Sequence, residues 1–347
     1  MIATPQGGFP VNILECSARG KRLSRAVRQW RVLDYFSIVS PDSLVYCGPM
    51  LPEKRWKTES ILRLFARLVI CIFMGSLVES VADFFRQPHG NAAGFMIVAV
   101  SGFGSFVGAL AVLWRRWELE NFGKKALVLL VCFYGGLTLT WWSLRWHGHA
   151  AEAEGSPLEV LIAVLAFHGA ALVLVHSFLR EHQTTWASAF GFNYRLGFAL
   201  LLGLGIAVVF VPLGWGLQDA TARVFTHFHV NAPEQQAVQV LRESHSVGNR
   251  LLLAISAILI APVAEEILFR GVLYPAIKQR GFPQLAFWGT SILFGAIHFN
   301  VATLLPLIVL SLMLTWLYER AGNLLAPITA HIFFNALNFA AVFVMRS

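Results

Sequence analysis

Glu265, Glu266 and Arg270 stand inside an apolar run that begins at Leu251, in the stretch A-P-V-A-E-E-I-L-F-R. An ionisable group at membrane depth costs about 3 kcal/mol on insertion scales, so such groups are rare and usually functional. Glu266 and Arg270 are four residues apart, so on a helix they share a face and can pair. Glu265 lies about 100° round the helix from Glu266 and is free to meet another helix. Taken alone, the stretch admits two readings: a buried ion pair with a spare carboxylate in a polar crevice, or a carboxylate that performs chemistry.

Two further pairs follow in the C-terminal third. Phe294 and His298 occur as F-G-A-I-H, and His331 and Asn335 as H-I-F-F-N. Each pair is spaced to share a helix face. A single histidine in an apolar helix is ordinarily a packed residue satisfied by a carbonyl, and His168 and His176 are read that way. A single buried asparagine is ordinarily interhelical glue. The combination asks for more. A carboxylate, two imidazoles and a carboxamide supply a general base, a second water holder and two oxyanion donors. Buried Glu, His and Asn also serve proton relays, but the paired halves common in transporters are not visible. The H-E-x-x-H signature of helical zinc peptidases is absent.

The elements that must carry these residues are membrane helices. The 347 residues are 56% hydrophobic and only 13% charged, with a mean hydropathy of +0.62. A soluble protein carries nearly twice that charged fraction. The expected fold is all-α, a polytopic membrane bundle of eight to nine helices. The apolar spans fall at 61–85, 92–114, 126–144, 157–179, 196–217, from 251, 284–299, 302–318 and 324–345. Residues 1–60 form a basic, cytoplasmic N-terminal segment, where Leu23, Val27 and Trp30 at helical spacing also fit an amphipathic helix on anionic lipid. Residues 61–217 hold N-terminal membrane helices of unassigned role, 218–250 a polar loop, and 251–347 the candidate catalytic core. No cleavable signal peptide is expected at the N-terminus. Four scattered cysteines without a C-x-x-C argue against a disulfide framework or a thiolate metal site.

The net charge of +8 reads first as a topology signal. Basic residues mark alternate loops: the N-terminal tail, Arg115–Lys125, Arg180 and Arg195, Lys278 and Arg280, and Arg320. That pattern places the N-terminus and Lys278 in the cytoplasm and residues 218–250 outside. One tension remains. Counted by helical rise from Leu251 and from Gln284, Glu265 and His298 differ in depth by about 13 Å in a core of about 30 Å. The expected resolution is a sixth helix that enters the core near Ser256 and runs past Tyr274.

In order and spacing, A-E-E-I-L-F-R-G, F-G-A-I-H-F and N-L-L-A-P-I-T-A-H-I-F-F-N resemble the CAAX-processing and bacteriocin-processing family of intramembrane proteases, also called the Abi family. The resemblance covers residues 251–344. It implies that Glu265 is the base that activates water, that His298 holds that water, and that His331 and Asn335 donate to the oxyanion. It implies orienting roles for Glu266 and Arg270, while Phe294 packs over the site. The implied activity is peptide-bond hydrolysis in a membrane-associated protein or peptide substrate, within the lipid bilayer of the cell's inner or plasma membrane and without nucleic acid. Two alternatives stay open: a non-catalytic scaffold or immunity protein of the same family, and a zinc-dependent protease with Glu265, His298 and His331 as ligands. The sequence favours hydrolysis without a cofactor, because Asn335 is a poor zinc ligand and Glu265 would be consumed as one.

Overall fold

The computed structural model describes residues 56–86, 157–229, 236–243 and 246–344, with Val107, Asn121 and Lys124 singly. The basic N-terminal run and the second and third expected spans lie outside these residues. Every regular element among the described residues is helical. In chain order they are α1 (Thr58–Arg86), α2 (157–181), α3 (Trp186–Phe190), α4 (Leu196–His227), α5 (Gln236–Glu243), α6 (Val247–Lys278), α7 (Leu285–Ala296), α8 (Val301–Ala321) and α9 (Leu325–Val344).

Five of these helices are long and apolar enough to cross a membrane, namely α2, α4, α6, α8 and α9. The architecture is therefore the expected all-α membrane bundle, while the expected eight to nine spans are not all accounted for. The 29-residue α1 is long enough but carries Arg63, Arg67, Glu79 and Asp83 along its length. The expected seventh span, 284–299, is shorter than predicted. Helix α7 ends at Ala296 and rises only about 18 Å, well short of a 30 Å core. His298 is consequently not on the helix but in the turn after it, where its N–H reaches the Gly295 carbonyl. Phe299 then takes a left-handed φ of 49°, and Asn300 caps α8 by accepting from the Thr303 N–H at 3.1 Å.

Helix α4 outlasts its apolar run. It was expected to end at Leu217 but continues to His227, through an i,i+4 pair of Asp219 and Arg223 at 2.9 Å. The polar stretch 218–250 is thus largely helical where it is described, with α5 and the start of α6 following.

The depth tension disappears once α6 is measured from its other end. Tyr274 and Lys278 both donate to Glu319 Oε1, at 2.7 and 2.5 Å, which ties the end of α6 to the end of α8. Glu265 lies thirteen residues before Lys278, and His298, in the turn beyond α7, thirteen after Leu285, so the two stand at a similar height of about 20 Å. The tension arose from counting down from Leu251, because α6, at 32 residues, is longer than a core of about 30 Å requires.

Close helix approach fixes α9, which carries two of the candidate residues. A Cβ on Gly203 of α4 would meet the Ala326 carbonyl of α9 at 2.4 Å. Phe190, at the end of α3, accepts the Leu324 N–H at 2.9 Å just before α9 and lies against Gly271 of α6. One buried phenylalanine therefore holds the start of α9 and the middle of α6 at a set distance.

Candidate active site

The polar centre forms where α6, α7, α8 and α9 meet. Within α6 the regular helix gives way to π turns at Ser256–Ile260 and Ile267–Leu273. Such turns are frequent at functional sites, because they shift the face a helix presents. Between them sits Ala261–Glu266, which carries both glutamates.

Glu266 is fully buried, and Arg270 is 1% exposed. Arg270 Nη1 donates to Glu266 Oε1 at 2.8 Å, the pair expected from the spacing. The guanidinium also donates to the Ser311 carbonyl and hydroxyl of α8, at 2.9 and 2.7 Å, and sits 4.9 Å from the Phe294 ring centre. Burying this charge is therefore offset by several donor contacts and an aromatic face.

Glu266 Oε1 also accepts from His331 Nδ1 at 2.9 Å. A carboxylate only accepts, so Nδ1 carries the proton and Nε2 is left for other work. That Nε2 lies 3.8 Å from Glu265 Oε2. His298 is fixed in the same manner, donating through Nδ1 to the Phe294 carbonyl at 2.7 Å, which leaves its Nε2 free. Phe294 is fully buried with its ring 5.0 Å from that of His298 and 5.8 Å from that of His331. Its ring thus lies against both imidazoles. Glu265 is 7% exposed and couples electrostatically to His331, His298 and His168.

Asn335 Nδ2 donates to the Ala257 carbonyl of the first π turn at 2.8 Å. One of its two N–H groups thus joins α9 to α6, and the other stays available. His168 departs from expectation. It was read as a packed residue satisfied by a carbonyl, yet neither ring nitrogen has a hydrogen-bond partner, and its Nε2 stands 3.6 Å from Glu265 Oε1. No local motif marks it, since its partner is far away in sequence. His176 also lacks the expected carbonyl; it is exposed and accepts from the Trp186 indole at 3.2 Å.

Among the described residues no three His, Cys, Asp or Glu side chains converge as a metal ion requires. The arrangement provides a buried carboxylate close to His331 and His168, with the tautomers of His331 and His298 set by their neighbours.

Comparison with known proteins places this region. Residues 247–337 match the family model described as type II CAAX prenyl endopeptidase Rce1-like. The chain is 31% identical over 85 residues to the UPF0177 protein YxdF of Lactococcus lactis, covering 24% of this chain and 46% of that protein. It is 36% identical over 83 residues to the uncharacterized protein YpbD of Bacillus subtilis, covering 23% and 40%. It is 29% identical over 85 residues to the B. subtilis protein named "Putative membrane peptidase YdiL", covering 24% and 34%. The chain spans less than half the length of each of these relatives. No solved structure matches it. By the order of its motifs and by the family model alike, residues 247–337 of this membrane protein resemble the Rce1-like type II CAAX prenyl endopeptidases.

Proposed function

We propose that this protein is an intramembrane endopeptidase that hydrolyses peptide bonds of membrane-associated proteins with water activated by Glu265. The observation that carries the reading is the setting of Glu265. It is a buried carboxylate facing the free Nε2 of His331, and a second, fully buried carboxylate orients that imidazole. Glu265 takes a proton from water as the oxygen attacks the scissile carbonyl, and returns it to the leaving amine. His298, with Nδ1 committed to Phe294, holds the water through Nε2. His331 Nε2 and the uncommitted N–H of Asn335 face the developing oxyanion. Glu266 and Arg270 set the orientation of His331 and touch no reacting atom. A protein cut in this way would be anchored in or at the bilayer, because both glutamates lie within a helix long and apolar enough to cross a membrane.

The test compares membrane peptides from cells carrying the wild type with those from cells carrying Glu265→Ala. A membrane protein cleaved only in the wild type supports the activity and identifies its substrate. Identical peptide sets, with both proteins present at equal levels, refute it.

A further inference from the structure

We infer that His168, on α2 and outside the matched residues 247–337, is a positioning residue for Glu265. This rests on the proposed role of Glu265 as base. The argument begins with what other histidines in this fold do. His182, on the turn after α2, donates through Nδ1 to the carbonyl four residues earlier, Phe178, at 2.8 Å. His298 does the same with Phe294 at 2.7 Å. His168 does not bond to Val164 in this way. It lies in the π turn Leu165–Gly169, where the i−4 relation is lost, and both of its ring nitrogens are left buried and unpartnered.

The turn that frees His168 packs against Ala261–Glu266. Glu265 is thereby met from two sides. Oε1 faces His168 Nε2 at 3.6 Å, and Oε2 faces His331 Nε2 at 3.8 Å, from α2 and α9 respectively. From its own helix it is flanked by Glu266 and Arg270, whose charges are committed to each other at 2.8 Å, and His298 couples to it from the end of α7. Distances just beyond direct hydrogen bonding are those that one water or a small ring movement closes. A buried imidazole has few reasons to leave both nitrogens idle. Here one of them is positioned to donate an N–H to a carboxylate whose geometry the reaction depends on, holding that carboxylate ionised and in one rotamer while its other oxygen works.

The test uses the full chain in lipid nanodiscs and an apolar carbodiimide, which modifies protonated carboxyl groups. Modification of Glu265 is read by mass spectrometry, with Glu266 resolved by fragmentation. His168→Phe keeps ring size and removes both nitrogens, and it is expected to raise Glu265 modification several-fold at constant pH. His168→Gln, which retains an N–H donor, should return most of the way to wild type. His176→Leu, on the same helix but remote from Glu265, should change nothing. Equal modification of wild type and His168→Phe would overturn the proposal; if the Phe variant fails to assemble, His168→Leu is judged by the same criterion. The readout needs no substrate, so it is separable from the activity itself. Loss of cleavage in Glu265→Gln together with unaltered labelling in His168→Phe would remove only the role of His168.

Discussion

At the scale of single residues, Glu266 is the side chain that the polar centre can least afford to lose. Its one oxygen accepts from both Arg270 and His331, and it is fully buried. Glu266→Ala leaves a buried guanidinium without its counter-charge, so a loss of about 3–5 kcal/mol is expected, read as a lower midpoint of thermal unfolding in detergent. Arg270→Lys should not be benign, because one ammonium cannot bond Glu266 and Ser311 in the same planar fork. Under the proposed activity, Glu265→Gln, His298→Ala and His331→Ala abolish cleavage while the protein stays in the membrane. Asn335→Ala lowers cleavage by about 10²–10³, the usual effect of one oxyanion donor, and Phe294→Leu is tolerated better than any of these. The Glu266–Arg270 pair was legible because both partners lie on one turn of one helix. His168 was not, because its partner lies on another helix and a π turn, invisible to periodicity, decides where its ring goes.

At the scale of elements, the positions of His331 and Asn335 depend on how closely α9 approaches α4. Gly203 has no room for a side chain against the Ala326 carbonyl, and backbone cannot rotate away as a side chain does. Gly203→Val is therefore expected to cost about 1–3 kcal/mol as overpacking, and to reduce activity by shifting α9. A lower unfolding midpoint together with lost cleavage would show both effects; an unchanged midpoint would contradict the packing argument. The ends of helices were harder to read than their existence. The apolar run stops at Leu217, but helix α4 does not, because Asp219 and Arg223 support another turn in water. Helix α7 was predicted too long because the apolar run continues past Ala296 to Phe299, interrupted only by His298. Asn300 was the available signal, since an asparagine just before a new helical run marks a cap and hence a break before it.

At the scale of the whole molecule, the basic loops make a prediction about sidedness. Lys278→Cys should react with an impermeant maleimide only after cells are opened, and Phe228→Cys, at the exposed end of α4, should react in intact cells, with native cysteines replaced in both. Reaction of both from one side would refute this topology. A different consequence comes from the short α7. Glu265 and His298 each stand about 20 Å from the helix ends beside Lys278 and Leu285, so the chemistry proposed for them would share one plane of the bilayer. Under the proposed activity that plane works as a ruler. A substrate anchor is cut where its backbone crosses that depth, largely regardless of which side chain is there, so lengthening the anchor at its cytoplasmic end should move the cut along the sequence by the number of residues added.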